Sequence, residues 1–291
     1  MMKYKIPGYI LFFIACVYFS VFRHFPIQMI TDYIQNAISK TDSHLSVQIQ
    51  QPGPLFPWGM KAQAVQFGWM GEPIVQFEKP KAMFDIKTVF NQDWQVNYQS
   101  TLLNGLVSGV ARLNRHKFED LGMESKLENV VINKLDLGKN LFNCKISGLL
   151  NGNLEIGLKK MQVTKNQGDI TIANLEMEFL EPVYTIKQYS FSSGKIKFNM
   201  AGQNVIQIQE CNLKGRQMDI DAKGDITIAK IFEQSRLNIQ AQIILYPLFF
   251  MDAGDAAPID VTRNQSDNAV FNIKMGGTVQ TPLISIIKGA K

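Results

Sequence analysis

The chain has 291 residues, 46% of them hydrophobic, which supports a substantial core and excludes an intrinsically disordered protein. The net charge of +5 is carried by lysines and arginines scattered singly among apolar residues, which argues against a nucleic-acid binder with its clustered basic element. Charged residues reach only 19%, with Gln and Asn filling the gap, a composition suited to polar but uncharged strand faces.

At the N-terminus, Lys3 and Lys5 precede an apolar run from Ile6 to Phe22, closed by Arg23 and His24. As a helix the run is about 25 Å long, the short end of what spans a bilayer. Tyr4, Tyr18 and Phe25 stand where interfacial aromatics lie. The bulky Phe22-Arg23-His24-Phe25 ending lacks the small residues of a signal-peptide cleavage site, so residues 1–25 are expected to be a retained transmembrane anchor. The N-terminal amine, Lys3 and Lys5 outweigh Arg23, which places the N-terminus in the cytoplasm and the body on the far side. Residues 26–44 carry Ile30, Ile34, Ala37 and Ile38 at helical spacing and are expected to form a juxtamembrane amphipathic helix.

From residue 45 the period changes to two. Apolar residues alternate with polar ones in Leu45–Ile49, Val65–Trp69, Leu175–Phe179, Ile196–Met200, Met218–Ala222, Leu237–Ile243 and Phe271–Met275. Each such strand has one apolar and one solvated face, as in antiparallel sheets covered on one side. Turn signals are read at Asn151-Gly152, Asn166-Gln167-Gly168, Ser193-Gly194 and Lys223-Gly224. A short helix is expected within 111–127, interrupted by Gly122, and a loop from Pro247 to Pro258. The hexapeptide Gly168-Asp-Ile-Thr-Ile-Ala173 recurs identically at Gly224–Ala229, each copy read as a turn leading into a strand. Residues 45–291 are thus expected to be one β-rich domain with a soft boundary near 125. The predicted fold class is mainly β: a transmembrane helix followed by a long, curved antiparallel sheet, either a trough or an open sandwich.

Little in the chain points to catalysis. His24, His44 and His116 are isolated, and no metal, nucleophile-elbow or phosphate-loop motif occurs. The paired carboxylates, Glu176 with Glu178 and Asp219 with Asp221, fall on solvated strand faces. Cys16 lies in the anchor; Cys144 and Cys211 match no metal or redox spacing, and whether they form a disulfide is open. No cofactor is expected and the chain is read as a non-enzyme. The candidate functional feature is instead an apolar strand face, lipid-facing or core: Ile196, Phe198, Met200, Met218, Ile220, Leu237, Ile239, Ile243, Phe271 and Ile273.

The lysine-flanked anchor, Phe25-Pro26, the amphipathic helix and the segment Pro54-Leu-Phe-Pro-Trp-Gly-Met60 leading into Val65-Gln66-Phe67 resemble the type II secretion system protein N family. The ending Met275-Gly-Gly-Thr-Val-Gln-Thr-Pro-Leu-Ile-Ser285 is similar to that of AsmA-like proteins. The first resemblance implies a non-enzymatic component of a type II secretion system, anchored in the bacterial inner membrane with its bulk in the periplasm and other secretion subunits as partners. The second implies a lipid-binding or lipid-transfer protein with an apolar β-trough, contributing to outer-membrane homeostasis, with phospholipid as its ligand. The two diverge on one point, whether the apolar face is filled by the protein itself.

Overall fold

A computed structural model describes residues 13, 27–41, 45–69, 72–117, 120–132, 144–159, 162–183, 185–201, 204–229, 234–253 and 269–287. The predicted anchor lies outside the described residues except for Phe13, which is helical and exposed. No helix among the described residues is long and apolar enough to cross a membrane. The chain forms two compact units, residues 1–86 and 87–291.

In the first unit the helix predicted for 26–44 is present as α1 (Ile27–Thr41), where buried Thr31 donates to the Gln28 carbonyl at 2.8 Å. Strands β1 (Leu45–Gln50), β4 (Ala64–Trp69) and β5 (Glu72–Phe84) pair antiparallel in that order. The alternation of Leu45–Ile49 and Val65–Trp69 is realised strand against strand, with Val47 opposite Phe67. Phe67 and Phe77 meet edge-to-face at 5.8 Å. Pro54–Met60 becomes the hairpin of β2 (Gly53–Leu55) and β3 (Gly59–Lys61), with a cis Phe56–Pro57 bond and exposed Phe56 and Trp58 rings at its tip.

The second unit is an open antiparallel meander. Its strands are β6 (Asp93–Leu102), β7 (Gly105–Asn114), β8 (Leu121–Val131), β9 (Cys144–Lys159), β10 (Gln162–Val183) and β11 (Ile186–Met200). They continue as β12 (Val205–Gly215), β13 (Met218–Thr227), β14 (Arg236–Leu245), β15 (Ala269–Gly277) and β16 (Pro282–Ile287), each paired with the next. Sequential pairing with short connections is the low-entropy way to add strands. The β6–β7 connection is the two-residue turn Leu103-Asn104, both at positive φ, which matches the twist of the flanking strands.

Two local expectations do not hold. No helix forms among the described residues of 111–127: β7 and β8 occupy most of the range, because Leu121, Met123 and Leu127 alternate with Gly122, Glu124 and Lys126 and β8 is paired on both sides. Conversely, the expected loop from Pro247 begins with a helix, α2 (Pro247–Ala253). Proline suits a first helical turn, and burial of Phe249, Phe250 and Ala253 holds the short helix in place.

The four turn signals at 151–152, 166–168, 193–194 and 223–224 also lie inside strands β9, β10, β11 and β13. The glycines serve close approach rather than chain reversal. A Cβ at Gly152 would sit 2.6 Å from the Asp169 carbonyl oxygen, and one at Gly168 would sit 2.5 Å from the Phe198 ring. Both hexapeptide copies therefore begin mid-strand. The tightest of these four glycines is Gly224, at φ +153, where a Cβ would fall 2.2 Å from the Asn238 carbonyl oxygen. Gly224→Ala is expected to destabilise by about 3 kcal/mol through combined strain and overlap, measured by chemical denaturation. Gly122→Ala is the control: nothing lies within 4 Å, and a change larger than about 1 kcal/mol there would show that backbone freedom, not space, is the cause.

Candidate apolar strand face

The strand register assembles the predicted apolar residues into rows. One row runs Val107, Leu127, Gly152, Ile170, Ile196, Cys211, Ala222, Ala241, Ile273, Ile286, directly opposed from β7 to β16. A second runs Leu154, Gly168, Phe198, Ile208, Gly224, Ile239, Met275, Ile284. A third runs Val130, Leu150, Ile172, Gly194, Leu213, Ile220, Ile243, Phe271. No charged or amide-bearing side chain interrupts these rows. Bulges keep them aligned: the register shifts between Lys197 and Phe198 against β12, and between Ala173 and Glu176 against β9, so the apolar set stays on one side where an unshifted ladder would flip it.

The opposite side carries cross-strand ion pairs. Arg112 meets Glu124, Lys165 meets Glu155 at 2.6 Å, Lys197 meets Asp169 at 3.3 Å and Lys195 meets Glu210 at 3.3 Å. The Arg112 guanidinium, by hydrogen bonding, holds the Glu124 carboxyl below its ordinary value. Asp169 also raises the Lys197 ammonium, chiefly by hydrogen bonding. These pairs are exposed and contribute little stability; they fix which side faces water. A groove of about 600 Å³ crosses this side between β7 and β12, lined by Lys126, Glu155, Asp169 and Lys197 among others. Its Glu155 and Asp169 are already engaged by Lys165 and Lys197. Among the described residues no group of three or more His, Cys, Asp or Glu could hold a metal ion.

The apolar side divides into two ends. At one end Ile172, Leu175, Ile186, Tyr189, Phe191 and Leu245 form a buried cluster with Phe249, Phe250 and Ala253 of α2. The α2 rings meet edge-to-face at 5.5 Å. The last carbonyls of α2, at Asp252 and Ala253, accept from the Thr185 hydroxyl in the β10–β11 turn at 3.4 and 3.1 Å, and Gln217 donates to the Asp252 carboxylate at 2.7 Å. The helix is thereby pinned as a plug. Of the ten predicted face residues, Ile196, Met218, Ile220, Ile243 and Phe271 pack against this cluster. Phe198, Met200, Leu237, Ile239 and Ile273 belong to the rest of the face, and all ten are only partly buried.

Partial burial has a local cause. Each row contains a glycine beside a large residue, and there bulky side chains lean sideways over it. The Phe198 ring and the Leu154 Cδ2 would lie 2.5 and 2.8 Å from a Cβ at Gly168, and Leu213 Cδ2 would lie 2.9 Å from one at Gly194. Phe198, Leu154 and Leu213 thus cover neighbouring glycines without a second layer. A fully buried apolar side chain is worth about 1.5–3 kcal/mol, so a partly exposed one leaves up to about 1 kcal/mol for a further apolar occupant.

Cys144 and Cys211 are free thiols, each raised above its ordinary value by burial. Cys144 is completely buried opposite Phe179, and Cys211 sits in the first row between Ile196 and Ala222. Both act as small apolar residues. The sequence reading missed α2 as the plug; paired phenylalanines after a helix-starting proline were the available signal.

One buried charge lies at the β12–β13 turn. Burial pushes the Asp219 carboxyl up, but hydrogen bonds from Lys214, the Tyr246 hydroxyl and the Gly215 amide outweigh it and hold it below the usual aspartate range. The Lys214 ammonium and the Gly215 amide each lie 3.0 Å from it. A folded-state value below the unfolded one stabilises at neutral pH, and that contribution is lost as pH falls through the folded value. Asp219→Asn is expected to cost about 1–2 kcal/mol at pH 7, a gap that closes on acidification below about pH 4. Denaturation midpoints of both chains across pH 2–7, roughly the carboxylate range, check this. A gap unchanged in acid would mean the ionised carboxylate is not the stabilising species.

Comparison with known protein families, curated proteins and solved structures finds no match to this chain.

Proposed function

We propose that this protein is a non-enzymatic lipid-binding protein whose apolar sheet face shields acyl chains. The observation that carries the reading is the uninterrupted row of apolar and glycine residues from Val107 to Ile286, of which Cys211, Ala222, Ala241, Ile273 and Ile286 lie outside the cluster plugged by α2 and are at least partly exposed. A smooth apolar strip with no polar group to satisfy suits a flexible hydrocarbon chain, which needs contact area and no directional bonds. The charged opposite side keeps the loaded sheet solvated. In this reading residues 1–25 tether the sheet to the bacterial inner membrane, with the body in the periplasm, in the manner of AsmA-like proteins.

The test is mass spectrometry of the detergent-purified full chain for copurifying phospholipid. Phospholipid at or above about one molecule per chain is expected, since several partly covered residues each add up to about 1 kcal/mol. Lipid no higher than in an unrelated anchored protein purified alongside would sink the reading.

The secretion-subunit reading has one feature in its favour: β16 is exposed along its whole length, and an open strand edge is a ready protein-docking element. Co-isolation of secretin or pseudopilin subunits with the tagged chain, without phospholipid, would favour that alternative.

A further inference from the structure

We propose that the tip of the β2–β3 hairpin is a membrane contact: Phe56 and Trp58 enter the headgroup boundary of a bilayer while Lys61 and Lys81 hold its phosphates. The proposal rests on the reading above for its bilayer, to which residues 1–25 tether the chain, and not on any lipid cargo. The first observation is the tip itself. Leu55 and Gly59 close the turn Phe56-Pro57-Trp58, whose two aromatic residues are 66% and 46% exposed. Close pairing fixes that turn on the sheet. A Cβ at Gly59 would lie 2.5 Å from the Ala82 carbonyl oxygen, and the Trp58 carbonyl accepts from the Phe84 amide at 2.8 Å. Large rings held out on a fixed turn mark a contact site. A tryptophan, apolar in its body and polar at its N–H, suits the boundary between hydrocarbon and headgroups.

The second observation is charge. Lys61 of β3 lies directly opposite Lys81 of β5, both exposed. On the same side, Met83 is 38% exposed opposite Gly59. Like charges directly opposite across two strands repel, and neither lysine forms an ion pair among the described residues. Of the carboxylates on β5 or just past it, Glu72 stands at the far end opposite Trp69, and Asp85 already has a partner. That leaves Glu78, opposite Ala64, against exposed Lys61, Lys79 and Lys81. An anion received between the two opposed ammonium groups offsets their repulsion. A surface that offers phosphates beside hydrocarbon matches both the lysines and the rings. A second copy of this chain fits less well, because apposing two tips would bring two such lysine pairs together.

The experiment reconstitutes the full chain into vesicles containing about a third phosphatidylglycerol. Their acyl chains carry bromine atoms either near the headgroups or near the bilayer centre. The chain has three tryptophans, Trp58, Trp69 and Trp94, so about a third of the emission is expected to be quenched, more by the shallow bromines than by the deep ones. Trp58→Leu, a change at an exposed position, is expected to lose that component. Lys61→Gln together with Lys81→Gln is expected to lower the ratio of docked to undocked tips about twenty-fivefold, near fivefold per charge. The readout is again the loss of Trp58 quenching.

Equal quenching of the parent chain and of Trp58→Leu would overturn the contact, as would stronger quenching by the deep bromines. So would quenching that the two lysine substitutions leave unchanged. A Trp58 emission shift without vesicles that grows with protein concentration would assign the tip to contact between copies instead. Alkaline extraction of the same vesicles tests the tether separately. A chain that stays in the bilayer with Trp58 unquenched removes this proposal and leaves the tether standing. A chain stripped by the extraction, after its Trp58 was quenched by the shallow bromines, removes the tether and keeps the contact.

Discussion

Phe198→Asp is expected to strip the purified chain of phospholipid, lowering the bound amount by about a hundredfold, while costing no more than about 2 kcal/mol of stability. The residue sits in the second apolar row between Gly168 and Ile208 and lies outside the cluster packed on α2. Its partly exposed ring leans over Gly168, so its removal uncovers a glycine rather than opening a sealed cavity. A carboxylate there faces water in the empty protein but would have to be desolvated against an acyl chain, which is where the large loss arises. Ile196→Asp, one step along β11 on the same side, packs against the buried cluster and is expected to damage folding instead. Phospholipid by mass spectrometry and denaturation midpoints on both variants separate the two effects. A Phe198→Asp chain that unfolds while Ile196→Asp does not would mean that the buried and open ends have been assigned the wrong way round.

Phe249→Ala is expected to destabilise the chain by about 3–5 kcal/mol, the range for truncating a large aromatic in a sealed core. Phe249 is 2% exposed and packs edge-to-face on Phe250 within the buried cluster. Its loss frees α2, whose seven residues are too few to persist without tertiary packing. It also exposes Leu175, Phe191 and Leu245. Met251→Ala, on the same helix but 78% exposed, is the control and is expected to change stability by less than about 0.5 kcal/mol. Equal losses from both substitutions would show that helix propensity rather than the plug contact is at stake.

Much of the sheet was legible because alternation is a local signal. Ile196–Met200, Leu237–Ile243 and Phe271–Met275 each declare one apolar side within a few residues, and all three fall within strands. The helix 27–41 was equally plain from its spacing of isoleucines. The misread glycines had a different cause. Lys223-Gly224 or Asn151-Gly152 is turn chemistry when only the chain itself is considered, yet Gly152 and Gly224 are required by a carbonyl on the neighbouring strand. That requirement belongs to residues far away in sequence. Pro247–Ala253 reads as loop in sequence because a seven-residue helix has too few turns to show periodicity. Its helicity depends on what Phe249 and Phe250 bury against.

The sequence by itself determined the class of the protein: strands with one apolar and one polar side, ten face residues on the apolar one, and two cysteines without a partner motif. Those follow from side-chain order along an extended chain, where a period of two assigns every residue to a side. Only the tertiary structure decided how those sides line up across strands, since register depends on bulges and on which strands are neighbours. It also decided that α2 plugs one end while Phe198, Ile239 and Ile273 lie outside the plugged cluster. Burial is a property of what comes to lie over a residue. For half of the predicted face nothing in its own sequence could say whether that would be the chain's own helix.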